Sequence, residues 1–133
     1  MNYVFSNSVK ILLGVLSLVV LFHLFLVFKV IPYDIAWGGR LQNDEQMYVF
    51  ETVSILVNLF LMWVLLMKAG LVKFRFPDRV VNAILWVVFG IFLLNTLGNL
   101  FAKTLFEKQF AFLTAFISLL LWQILKNKTP ATR

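Results

Sequence analysis

The sequence predicts an all-α, polytopic membrane four-helix bundle, and three observations lead there. Four stretches are each apolar over about 20 residues, the length that crosses a bilayer's hydrocarbon core. Hydrophobic residues make up 62% of the 133 positions and charged residues only 14%, against about 25% charged in ordinary globular domains. A chain this short has too little interior to hide so much apolar surface from water. The few charges also sit mostly between the apolar runs rather than along them. A single transmembrane domain over residues 1–133 is the expectation.

The first span is expected at about 11–31. His23 interrupts it, and Lys29 and Pro32 close it. Pro32 lacks an N–H and biases Ile31 away from helical angles. The run is too long for a signal-peptide core and no small-residue cleavage site follows, so it is read as retained. The second span is expected at about 47–67. Asn43 with Gln46 resembles a capping box, Asp44 and Glu45 suit a helix N-terminus, and Lys68 with Gly70 ends it. The third span is expected at about 80–102, started by Pro77-Asp78. The fourth, at about 105–125, opens on Thr104 and Glu107 in capping-box spacing. So short a link between the last two spans requires a tight antiparallel hairpin.

Orientation follows from Lys and Arg in the short connections. Of the 12 basic residues, Lys10, Lys68, Lys73, Arg75, Arg79, Lys126, Lys128 and Arg133 fall on one side. Lys29, Arg40, Lys103 and Lys108 fall on the other. Both termini are therefore expected in the cytoplasm and the 32–46 loop outside. The net charge of +6, which in a soluble protein would suggest nucleic acid, is here a topology signal, and no nucleic-acid partner is expected.

The loop between the first two spans is the most structured-looking polar stretch. Residues 29–51 hold Asp34, Asp44, Glu45 and Glu51, four of the chain's six acidic residues. Gly38-Gly39 permits unusual backbone angles beside Trp37 and Arg40. Arg40 is placed to pair with Asp34 or Asp44, and Tyr33 and Trp37 suit an interfacial aromatic belt.

Polar residues within the spans concentrate toward the same side. His23 is expected about eight residues, or roughly 12 Å, from the outer end of its helix. Glu51, Ser54 and Asn58 share one face of the second span, and Asn95, Gly98, Asn99 and Ala102 form a polar-and-small stripe on the third. Ala111, Thr114, Ala115 and Ser118 make a close-packing stripe on the fourth. Unpaired polar groups in hydrocarbon are costly, so these stripes are expected to face one another around an outward-opening polar pocket. The candidate ligand-binding residues are His23, Asp34, Trp37, Arg40, Glu51, Asn58, Asn95 and Asn99. Each also has a plainer role: a helix-to-helix hydrogen bond for His23 and the Asn residues, contact with interfacial water for Glu51.

The chain has no Cys and a single His, which removes disulfides, thiol redox chemistry and a conventional zinc site. No cofactor and no metal are expected. Phosphate-binding Gly loops, His-Glu-x-x-His and serine-elbow motifs are absent. A His23–Glu51 acid–base pair acting on a membrane-soluble substrate stays open. Small multidrug exporters carry an acidic residue where this chain has His23, and four-helix quinone reductases need cysteines. Four-helix sterol isomerase-like proteins share a membrane pocket with His and acidic groups, without a motif match.

One resemblance rests on quoted residues. Ile31-Pro32-Tyr33-Asp34-Ile35-Ala36-Trp37-Gly38-Gly39-Arg40-Leu41, then Phe50-Glu51 and Leu94-Asn95-Thr96-Leu97-Gly98-Asn99, resemble a group of short bacterial four-helix membrane proteins without an assigned activity. The similarity covers most of the chain. It implies a multi-pass protein of the bacterial cytoplasmic membrane and assigns no site residue.

Three functions remain open on sequence. One is a protein binding or transporting a small solute, ion or lipid headgroup in the outward pocket. A second is an accessory or assembly subunit, whose polar stripes meet a second copy or another membrane protein. The third is an enzyme acting on a lipid-phase substrate, the least favoured of the three. Partners common to all are the lipid bilayer and, for the first, a small-molecule or lipid ligand.

Overall fold

Apolar runs decide where the helices form, and local caps decide where they stop. The computed structural model describes residues 3–35, 40–74 and 76–126. It contains α1 (Tyr3–Val27), α2 (Asp44–Lys68), α3 (Asp78–Leu100) and α4 (Leu105–Lys126), with one 3-10 turn at Tyr33–Ile35. Each of the four helices is long and apolar enough to cross a membrane. The all-α four-helix architecture is as the sequence predicts.

The boundaries differ most at α1. Its helix starts earlier than expected, at Tyr3, and ends at Val27 rather than Ile31. Pro32 is not the terminator. Lys29 takes a left-handed conformation, φ 58. Its N–H donates to the Leu26 carbonyl at 3.1 Å, and that of Val30 to Phe25 at 2.9 Å. Those two bonds form a Schellman cap with Lys29 where glycine usually sits. The same motif ends α2 with the expected residue: Gly70, φ 72, donates to Met67 and Leu71 donates to Leu66, both at 3.0 Å.

Helix starts follow the expected chemistry. Asn43 Oδ1 accepts from the Gln46 N–H at 2.8 Å, while Gln46 Oε1 accepts from the Gln42 N–H at 3.0 Å, a capping box displaced by one residue. Pro77 precedes α3 and its carbonyl takes the Val80 and Val81 N–H groups. At α4, Thr104 Oγ1 accepts from the Glu107 N–H at 3.1 Å and donates to the Glu107 carboxylate at 2.7 Å.

The helices form an antiparallel ring in which each contacts its sequence neighbours and α4 closes on α1. The α3–α4 contact is the most extensive and the α2–α3 contact the least. One end of the ring carries the 28–43 and 101–104 connections and is called the loop end. The opposite, terminal end carries the start of α1, the 69–77 connection and the end of α4.

The main core lies toward the terminal end, where Leu12, Leu16, Leu65, Leu85, Leu121 and Ile124 are fully buried together. Polar ties reinforce it: Ser8 Oγ donates to Gln123 Oε1 at 3.2 Å, and Lys68 Nζ to Asn82 Oδ1 at 2.6 Å. Toward the loop end, α3 has no buried residue beyond Leu85. The outward faces are strongly apolar, Phe112 being 80% exposed. Such faces suit hydrocarbon rather than water, consistent with an integral membrane protein.

Candidate functional site

The loop end holds most of the candidate residues, and their positions separate them into distinct settings. His23 sits four residues before the end of α1, so it lies about 6 Å from that end rather than the expected 12 Å. Its Nδ1 meets Glu51 Oε2 across the α1–α2 contact. Glu51 is 0% exposed and the His23 side chain 15%. Phe22 packs its ring on Phe110 of α4 with centroids 5.3 Å apart, and Phe110 in turn meets Phe106. An aromatic layer thus flanks the imidazole between α1 and α4. Burying a charge without a partner is expensive, and the imidazole supplies one.

Just beyond the helix ends, Lys29 pairs with Asp44, and the Tyr33 hydroxyl is close enough to the same carboxylate to interact with it. This tie fastens the turn after α1 to the start of α2. Arg40 was expected to pair with Asp34 or Asp44, but among the described residues it forms no ion pair. Lys29 holds Asp44 instead. Asp34 and Arg40 are exposed, and Trp37 lies outside the described residues together with Gly38 and Gly39.

Asn58 is 8% exposed and its Nδ2 donates to the Ser54 carbonyl at 2.7 Å, one turn back on α2. Asn95 and Asn99 behave differently. Asn95 is exposed and Asn99 half-buried, and among the described residues neither carboxamide has a hydrogen-bond partner. The expectation that the whole α3 stripe faces inward is therefore corrected: Asn95 and Gly98 point out of the bundle. Thr96, which donates to Thr114 Oγ1 at 2.9 Å, makes a polar contact from this part of α3 to α4. The α4 stripe divides in the same way, with Ala111, Thr114 and Ser118 buried and Ala115 exposed.

The α2–α3 contact explains the exposure. At the terminal end Lys68 and Asn82 join the two helices. Moving away from it, Phe60, Ala83, Ile84, Val87 and Val88 line an apolar groove of about 350 Å³. Ile84, Val88, Ile91 and Asn95 fall at i, i+4, i+7 and i+11, a single helix face. That face runs from the groove toward the loop end and is not covered by α2 there: Val53 and Val57 are exposed. Helices α2 and α3 are thus tied at the terminal end, while Val53 and Val57 of α2 and Ile91 and Asn95 of α3 are exposed toward the loop end. A second apolar groove of about 310 Å³ lies between α3 and α4, beside Leu93, Ala115 and Trp122.

Comparison with protein-family models, with curated proteins and with solved structures finds no match.

Chemically, the two settings differ. The His23–Glu51 pair is a closed contact between helices, with the carboxylate shut away from solvent. Among the described residues no three His, Asp or Glu side chains converge to hold a metal. The α2-side face of α3 instead offers open apolar surface ending in the exposed carboxamide of Asn95, able to donate and accept. Sequence reasoning missed Glu107 as a buried carboxylate (4% exposed), treating it as a cap alone. It also missed the Lys29–Asp44 tie. A pairing across a loop has no local spacing that could announce it.

Proposed function

We propose that this chain is an integral membrane protein that binds a lipid-phase amphiphile in the lateral cleft between α2 and α3. The observation that carries the reading is the exposed carboxamide of Asn95, on the same face of α3 as the groove residues Ile84 and Val88 and, among the described residues, without a hydrogen-bond partner, with the half-buried Asn99 one turn on. Asn95 lies five residues, about 7–8 Å, from the end of α3. An Asn side chain is too short to reach the interface from there, so its polar atoms want a partner inside the membrane. Below it the face becomes wholly apolar down to the groove at Val88 and Ile84. Polar at one end and apolar along the rest, the cleft has the profile of a lipid molecule standing in a leaflet.

The proposed setting is a bacterial cytoplasmic membrane, with the loop end outside. Basic residues support that orientation: Lys10, Lys68, Lys73, Arg79 and Lys126 lie toward the terminal end, against Lys29, Arg40, Lys103 and Lys108 at the loop end. The pocket reading is thereby narrowed from a central, outward-opening site to a lateral one. His23 and Glu51 hold α1 to α2 behind it.

The same carboxamides favour a second reading, an accessory subunit whose partner helix covers Asn95. A photoactivatable amino acid at Ile91 separates the two in membranes. Lipid adducts, reduced by Asn95→Leu, support the cleft. Adducts to polypeptide alone would replace it with the subunit reading.

A further inference from the structure

We infer that the amphiphile is uncharged and single-chained, with a hydroxyl or ester group at the level of Asn95 and Asn99. This inference rests on the lateral-cleft reading above and specifies its ligand. Charge is the first discriminator. Helix α3 carries no charged residue from Val80 to Ala102, and Glu51 is the one charge on α2 between Gln46 and Lys68. Glu51 is turned to His23 on α1. A ligand lying between α2 and α3 with its polar group at Asn95 therefore meets no counter-charge there, the nearest cation on the cleft being Lys68 at its far, terminal end. An ionised group at that depth would be desolvated without compensation.

The carboxamides supply what a neutral group needs. Asn offers an NH₂ donor to an ester carbonyl and an oxygen acceptor to a hydroxyl. Two of them, four residues apart on adjoining parts of one helix surface, can serve a glycerol ester or a long-chain alcohol from both sides. Chain number follows from volume. The groove of about 350 Å³ lies at the small end of ligand sites, which run to roughly 1,000 Å³, and it is bounded at the terminal end by the Lys68–Asn82 contact. One acyl chain suits that space better than two.

The test is equilibrium retention of radiolabelled C16 probes by the purified full chain in maltoside micelles. The probes are monopalmitoylglycerol, hexadecyl sulfate, hexadecyltrimethylammonium and hexadecane. Monopalmitoylglycerol should be retained about tenfold more tightly than the other three, the worth of one or two net hydrogen bonds. The double variant Asn95→Leu/Asn99→Leu should remove that preference and leave hexadecane retention unchanged. Val88→Trp, which fills the groove, should weaken all four probes alike. Equal retention of every headgroup would overturn the inference while leaving the cleft in place. Retention unaffected by Val88→Trp, or none of any probe, would overturn the cleft reading as well. Preference for either charged probe overturns the inference outright.

Discussion

Glu51 lies wholly inside the bundle with its carboxylate on the Nδ1 of His23, so α1 and α2 are joined at the loop end by ionisable groups. Removing one member of a buried pair typically costs about 3–5 kcal/mol. His23→Leu should therefore lower thermal stability in detergent by that order. Glu51→Gln, which keeps a hydrogen-bonding group opposite the imidazole, should cost less, about 1–3 kcal/mol. Equal and small losses from both would show that the pair does not hold the helices.

Two alanines on α4 give opposite expectations from the same substitution. Ala111 is buried at 3% exposure, so Ala111→Leu overpacks the bundle and should cost about 1–3 kcal/mol. Ala115 faces the α3–α4 groove, where a larger apolar side chain has room. Ala115→Leu should leave the melting temperature nearly unchanged. Comparable losses at the two positions would mean that the α3–α4 face is closed against another surface.

The two Schellman caps predict contrasting results. Gly70→Ala meets no neighbour within 4 Å, so its cost is the backbone's alone, roughly 1–2 kcal/mol for a left-handed non-glycine residue. Lys29→Gly relieves the same penalty and loses an exposed ion pair with Asp44 that salt screens. It should raise the melting temperature slightly in high salt, where the pair contributes least. A drop at every salt concentration would make the pair, not the backbone, decisive.

The pairing also fixes a pH dependence. The hydrogen bond to Asp44 raises the Lys29 ammonium above its ordinary value of 10.5. Its contribution is therefore intact at neutral and mildly alkaline pH, and is lost as pH climbs through the raised value. Thermal unfolding between pH 8 and strongly alkaline pH should show this loss in the parent chain. In Asp44→Asn it should be absent.

Topology can be read with an impermeant thiol reagent, since the chain has no Cys. Single cysteines at Arg40 and Lys73, both in connections between helices, should label from opposite sides of the membrane, Arg40 from outside. Labelling from one side would contradict four crossings.

Local chemistry made much of this fold legible in the sequence. The Asn43 cap, the Gly70 terminator and the Thr104–Glu107 box are encoded within a few residues, and α2 and α4 begin and end close to where they were expected. The end of α1 was not legible, because a left-handed Lys29 defies residue preference and its stabilising contacts are set by the chain around it. Periodicity placed Asn95 and Gly98 on one face of α3 but could not say which neighbour that face would meet. The sequence pattern treats helices as evenly packed, whereas α2 and α3 share the least extensive contact between sequence neighbours. Asn95 and Ala115 were therefore assigned inward when they face out.

Ring closure between α1 and α4 bears on how the protein is made. Helices emerge from the ribosome in order, so α1 must wait for α4, the last of the four, before its Ser8 finds Gln123. Until then α1 and α2 stand in the bilayer as a hairpin whose fastenings among the described residues include His23–Glu51 and Lys29–Asp44. The α3–α4 hairpin, with the most extensive contact and the briefest connection, is suited to enter as a preassembled unit. Nascent chains arrested shortly after Gly70 should then be more sensitive to His23→Leu, measured by helix-to-helix crosslinking, than full-length chains.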